Sequence, residues 1–303
     1  MRDHDDFYPT RLRSRSAPIP RREPVLHGSG AARRSGPLTP EQLARFERDG
    51  FLVLEGYYGA EEVRAFLEEF RALERDPELR ERPETILEHD SDAVRSIFAI
   101  HALSDAFAEL AGSPRLRDVA AQILGSDVHV HQSRVNRKPA FRGRGFDWHS
   151  DFETWHAEDG MPAMRAVSAS INLTPNHAQN GPLLLAPGSH RTFLPTVGAT
   201  PEDYWKDSLR RQRQGVPDAR DLAAVTAERG IVPALGGPGS VVFFDCNTLH
   251  ASADNLSPDD RSNLFFVFNS TENATVEPFS APRPRPTWIA ARPPVASGDR
   301  RAA

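Results

Sequence analysis

Residues 146–165 read FDWHSDFETWHAEDGMPAMR, with two histidines, three aspartates, two glutamates and two tryptophans. Polar and aromatic side chains at this density do not build an ordinary core. In a strand, side chains at i and i+2 share a face. The spacing His149-x-Asp151 therefore predicts an imidazole and a carboxylate aimed at one point. The run FFDCNTLHAS supplies a third group, His250, at the end of an apolar strand where its ring can turn into a cavity. Two histidines, one carboxylate and open positions form the facial arrangement of non-haem Fe(II) oxygenases, while zinc accepts the same ligand types. Spacing alone leaves rivals. His129-x-His131 and His156-x-Glu158 share the interval, Glu153 shares the parity of His149 and Asp151, and His190 in PGSH closes a turn. By their surroundings, His129 and His131 suit a half-buried strand and His156 a polar surface loop.

Two cations stand near these groups in the chain. Arg261 lies eleven residues past His250, a short hairpin away, and its planar fork suits a carboxylate held bidentately. Lysine occurs only at Lys138 and Lys206 in an otherwise arginine-based chain. An ammonium and a guanidinium are not interchangeable in a tight site, so Lys138 marks a position where the compact charge has a use. In QSRVNRK, strand parity puts Gln132, Arg134, Asn136 and Lys138 on one face and His131 with Val135 on the other.

The elements that must position these groups follow. LTPEQLARFERDG reads as a helix with a Thr39/Gln42 capping box, Pro40 in its first turn and Gly50 as its stop. FLVL is a strand, and a second helix is expected near residues 60–74. Residues 75–95 are charged and read as irregular. SPRLRDVAAQILGS repeats the helix grammar with Ser113 as cap and Gly125 as terminator. After residue 127, VHVHQSRVN, RAVSASINLT, GPLLLAPG, GSVVFFDC and RSNLFFVFN are short β-branched or aromatic runs that read as strands of one sheet system. Residues 201–230 carry two further helices as an insertion. The tail after Phe279 is proline-rich and cannot be a central strand. Together these predict a helical front end on a β-sandwich or barrel, spanning residues 39–292 as one domain. Residues 1–38, rich in Arg, Pro and Ser, read as an extended or mobile arm, and 293–303 as a tail.

Composition narrows the function classes. A net charge of −5 argues against nucleic-acid binding. No run approaches eighteen apolar residues, so no membrane span is expected. The polar N-terminus lacks an apolar signal region, and the single cysteine, Cys246, forms no internal disulfide. A cytoplasmic location is the expectation.

HQSRVNRKPAF, WHSDFETWHAEDGMPAMR, NGPLLLAPGSH, GSVVFFDCNTLHAS, NSTENATVEPFS and PRPTWIAAR together resemble the ectoine hydroxylases. These form a branch of the phytanoyl-CoA-hydroxylase-like Fe(II)/2-oxoglutarate dioxygenases. HxD…H with PGSH marks only the wide superfamily, whereas HSDFETWHAEDGMP and PRPTWIAAR are specific to the branch. The resemblance implies a mainly β fold with flanking helices, around a double-stranded β-helix (jelly-roll or cupin) core. It implies Fe(II) held by His149, Asp151 and His250, with 2-oxoglutarate and O₂ as cosubstrates. Arg261 and Lys138 would contact 2-oxoglutarate, assisted by Asn136 and Ser170. Gln132, Trp155, Phe268 and Arg285, with Thr154, would contact ectoine. From the residues alone, Trp155 and Phe268 read as core packing and Arg285 as a solvated tail arginine. A homodimer is the assembly the resemblance implies.

Overall fold

The computed structural model describes residues 5–28, 35–88 and 91–292. Its strands are β1 (Ile19–Pro20), β2 (Phe51–Leu54), β3 (Thr85–Leu87), β4 (Val94–Phe98), β5 (Val128–Lys138), β6 (Phe146–His149) and β7 (Ala166–Asn172). They continue with β8 (Leu183–Leu185), β9 (Thr192–Phe193), β10 (Val232–Pro233), β11 (Val241–Asp245), β12 (His250–Ser252) and β13 (Arg261–Ser270). Seven of them form one sheet in the order β2-β11-β7-β13-β5-β4-β3, and four form a second in the order β10-β8-β12-β6. Every pairing within these two sheets is antiparallel.

In β11 and in the middle of β13 the large sheet is apolar on both faces, so these stretches read as hydrophobic runs, whereas β5 and β7 alternate apolar residues on the helix side with polar ones on the inner side. In VVFFD of β11, Val241 and Phe243 join the core beneath the helices, while Val242 and Phe244 face Leu183 and Leu185 of the second sheet. β13 repeats this: Leu264 and Phe266 go to the helix side, Phe265 to the inter-sheet side. Each such phenylalanine stabilises the fold by roughly 1.5–3 kcal/mol through burial. Together the sheets make a double-stranded β-helix with flanking helices.

Helices Pro40–Asp49, Ala60–Arg75, Asp105–Gly112 and Pro114–Leu124 cover the outer face, through residues such as Phe46, Phe70, Phe107 and Val119. The Thr39/Gln42 capping box is present and Gly50 sits at φ 83°. Ser113 departs from expectation. Its hydroxyl donates to Leu110 O at 2.7 Å, closing the preceding helix instead of capping the next. Residues 75–95, read as irregular, hold a one-turn helix (Pro77–Arg80), all of β3 and the start of β4; β3 is set by pairing with β4, which in turn pairs with β5 through Ser96–Phe98. The 201–230 insertion contains Trp205–Ser208 and Ala219–Thr226. No helix among the described residues is long and apolar enough to cross a membrane.

The N-terminal arm is extended, but it is packed. Tyr8 is fully buried, 5.4 Å from the Phe152 ring and 5.2 Å from that of Phe193. β1 pairs with β9, and Arg21 forms a buried ion pair with Asp245 at 2.8 Å. The arm has little apolar periodicity of its own. Its order comes from partners more than a hundred residues away, a kind of signal that local pattern does not carry. The 293–303 tail and part of the arm lie outside the described residues.

Candidate metal centre

β6 and β12 pair with His149 directly opposite His250, which brings the imidazole centroids to 4.3 Å. The chain then leaves β6. Ser150 is extended (φ −107°, ψ 139°), caps the following turn by accepting from Glu153 N, and Asp151 is the first residue of a one-turn helix, Asp151–Thr154. His149 and Asp151 therefore converge across a strand-to-helix corner and not along one strand, as parity had implied. Asp151 Oδ1 lies 3.8 Å from Nε2 of both histidines. The three ligand atoms sit within 4.8 Å of one another, and this is the one such group among the described residues.

The tautomers follow from the hydrogen bonds. Each Nδ1 faces a carbonyl two residues back: Asp147 O at 2.7 Å for His149 and Thr248 O at 2.9 Å for His250. A carbonyl only accepts, so Nδ1 holds the proton and Nε2 keeps its lone pair for a metal. Burial, followed by the neighbouring His149, lowers the His250 pKa to about 4, which keeps that ring neutral. A divalent ion bonding at ~2.1 Å bridges atoms up to about 4.2 Å apart, so both 3.8 Å spacings fit.

One step further along the same strand pair, Lys138 Nζ donates to Ser252 Oγ at 2.7 Å and Ala253 O at 2.5 Å. Arg261, the cross-strand partner of Lys138, donates to Gly181 O at 2.7 Å and Asn176 Oδ1 at 3.2 Å. Both are almost fully buried, and among the described residues neither has a carboxylate in salt-bridge contact. Burial holds Arg261 down to about 10, and burial, then Arg261, lowers Lys138 well below its ordinary range. Asp254 and Glu88 act on Lys138 only from a distance, and two buried cations without a carboxylate in contact are costly unless an anion joins them. Ser252 is two residues from His250, roughly 7 Å along a strand, a distance a short dicarboxylate can span.

Gln132, Asn136, Thr154, Trp155 and Arg285 line one cavity with His149 and Asp151. Gln132 donates to Ile289 O at 2.9 Å, Asn136 accepts from Ser96 Oγ at 2.8 Å, and Trp155 stacks edge-on to His131. Ser170, on β7, accepts from Asn263 Nδ2 at 3.2 Å. Arg285 is engaged bidentately by Asp159, Nε at 2.8 Å and Nη2 at 2.5 Å. Despite complete burial, that partner holds the Asp159 pKa at about 2. Phe268 is not in the cavity. It packs on the helix side with Leu264 and Phe266, since it shares their parity on β13. A β-bulge opposite the Val267/Phe268 step skips His131 from the pairing register. His131 thereby swings to the inner side, 3.4 Å from Asp159 Oδ2, against the parity assigned to it.

The rivals resolve in place. His156 is buried in a π-helical turn, Trp155–Asp159, stacked 3.9 Å over Phe279 with Nδ1 at 2.8 Å from Met161 O, so it is no surface loop residue. His190 stands 3.2 Å from Glu47 O.

A match to the family model "Phytanoyl-CoA dioxygenase (PhyH)" covers residues 46–263. The ectoine dioxygenase of Bordetella bronchiseptica is 51% identical over 287 residues, 95% of this chain and 92% of that protein. The chain belongs to the phytanoyl-CoA dioxygenase family. Among solved structures, EctD from S. alaskensis with 2-oxoglutarate and 5-hydroxyectoine superposes with a TM-score of 0.85 at 43% identity, covering 95% of each chain. The same protein with bound Fe matches at 0.85 and 42%. Within this family member, several cavity residues carried no assigned role from sequence. Arg134 faces inward and lies 5.0 Å over the Phe265 ring. Glu158, Tyr204, Leu209 and Gln212 also line the space. Parity marked the facing of Arg134, and Glu158 was marked only as half of a rival ligand pair with His156; nothing local marked Tyr204, Leu209 and Gln212, which arrive from the insertion.

Proposed function

We propose that the protein is an Fe(II)- and 2-oxoglutarate-dependent hydroxylase that converts ectoine, 2-oxoglutarate and O₂ into 5-hydroxyectoine, succinate and CO₂. One observation carries this reading: His149 and Asp151 of the metal-fitting triad line a cavity that also holds Gln132, Trp155 and Arg285. The 51% identity to a curated ectoine dioxygenase supports it. His149, Asp151 and His250 would hold ferrous iron, which when bound with 2-oxoglutarate supplies the O₂ chemistry that oxidises a C–H bond.

The remaining work belongs to the protein. Lys138 and Arg261 neutralise the far carboxylate of 2-oxoglutarate, which in turn removes their desolvation cost. Asn136 and Ser170 add polar contacts near its other end. Ectoine is a small cyclic amidinium carboxylate. Asp159 uses Nε and Nη2 of Arg285, so we assign Nη1 to the substrate carboxylate and read Asp159 as the group that orients the fork. Trp155 offers its face to the delocalised cation, a contact worth roughly 0.5–2 kcal/mol. Gln132 and Thr154 serve the ring N–H groups and the carboxylate. Holding a rigid ring at three points limits which C–H faces the metal side. Phe268 is left out of this set.

Residues 39–292 are taken as one dioxygenase unit with 201–230 as its helical insertion. The same reading makes it a cytoplasmic homodimer, which light scattering on the purified protein tests. The activity is tested by incubation with ferrous iron, 2-oxoglutarate, O₂ and ectoine. A product sixteen mass units heavier, dependent on each component, is expected, and its absence would refute the reading.

A further inference from the structure

The arm carries one buried arginine with an unusual set of partners. Arg11 is 7% exposed and has a left-handed backbone (φ 56°), a conformation that costs a non-glycine residue energy and persists where contacts hold it. Its Nε donates to Glu153 Oε1 at 3.0 Å and its Nη2 to Glu153 Oε2 at 3.1 Å. Nη2 also makes an ion-pair contact with Glu158 Oε1 at 2.9 Å, and Nη1 donates to Thr200 Oγ1 at 3.0 Å. The guanidinium carbon lies 5.8 Å from the centre of the Tyr204 ring. Thr10 and Thr196 each donate to Glu153 Oε1 at 2.8 Å, so both carboxylate oxygens are engaged.

These partners bracket the cavity. Glu153 and Glu158 flank Thr154 and Trp155 on the turn that begins with Asp151, and Glu158 and Tyr204 themselves line the space. Gly215 brings the insertion onto the same pair. A Cβ there would lie 2.5 Å from Glu153 Oε2 and 3.2 Å from Arg11 Nη2. None of the contacts reaches β12, Lys138 or Arg261.

We propose that Arg11 is a positioning residue: from the N-terminal arm it locks the Asp151–Asp159 turn and the 200–215 segment together and so sets the ectoine-binding wall. The substrate part rests on the function proposed above. A single ammonium cannot fork across two glutamates and a threonine, so lysine is a demanding conservative variant.

The test compares Arg11→Gln and Arg11→Lys with wild type, and with Arg15→Ala, an arm residue whose partner Asp221 lies in the insertion away from the cavity. Arg11→Gln should raise the ectoine KM tenfold or more, with the 2-oxoglutarate KM and retained iron within twofold of wild type; Arg11→Lys should recover the KM only in part. An unchanged ectoine KM, or equal rises for both substrates, would overturn the proposal. Amide hydrogen exchange on the substrate-free protein gives a second readout, valid even if ectoine is not the substrate. Arg11→Gln should speed exchange at residues 153–160 and 204–215 while residues 250–252 stay as in wild type. Unchanged exchange at 153–160, or faster exchange everywhere, counts against Arg11 as the lock.

Discussion

At the residue scale, the division of labour between charges gives two predictions. Arg261→Ala removes half of a cation pair that has no carboxylate in salt-bridge contact among the described residues, so the 2-oxoglutarate KM should rise by tenfold or more with ectoine little affected. Steady-state kinetics with each substrate varied in turn checks this. Asp159 gives a pH signature. Its folded pKa of about 2 lies below the ordinary 3.8, so its pairing stabilises the protein fully above pH 4 and is lost as pH falls through 2. Asp159→Asn should remove on the order of 2 kcal/mol of stability at neutral pH and flatten the acid limb between pH 4 and 2, as read by denaturant unfolding. Sequence made some of this legible. The i, i+2 spacing of His149 and Asp151 and the rarity of lysine both pointed to residues that line up in space. The Asp159–Arg285 pair was not legible, because 126 positions separate partners that only the completed fold brings together.

At the element scale, helix caps and strand composition were readable because each is a local preference: Thr39 and Gln42 satisfy orphan amides, and β-branched runs pair as strands. What escaped was register. One bulge beside Phe268 puts His131 on the inner side, and a period-2 reading has no means of placing it. Phe268→Ala should therefore cost stability, about 3–5 kcal/mol as for other buried aromatics, while the ectoine KM of the folded fraction changes less than threefold. Thermal unfolding and kinetics on one preparation separate the two. Gly160, at φ 75°, ends the π-helical turn where an added Cβ would meet Val276 O at 1.9 Å. Gly160→Ala should cripple folding of the turn, and with it retention of iron, measured by metal analysis after desalting.

At the scale of the whole molecule, the β-helix presents two histidines from paired strands as a rigid edge, while a corner, a π-turn, an insertion and an arm close the cavity around them. A β fold was visible in the sequence because the apolar runs of β11 and β13 and the β-branched stretches between turn residues are easily read. The arm was not, since Tyr8 and Arg21 find their partners in Phe152, Phe193 and Asp245 and carry no pattern of their own. The most direct test of the central claim is turnover of ectoine under ¹⁸O₂ with product analysis by mass spectrometry. One heavy oxygen in succinate and one in the hydroxylated product, formed in equal amounts, is the predicted result. Unlabelled succinate and a product oxygen drawn from water would contradict the account.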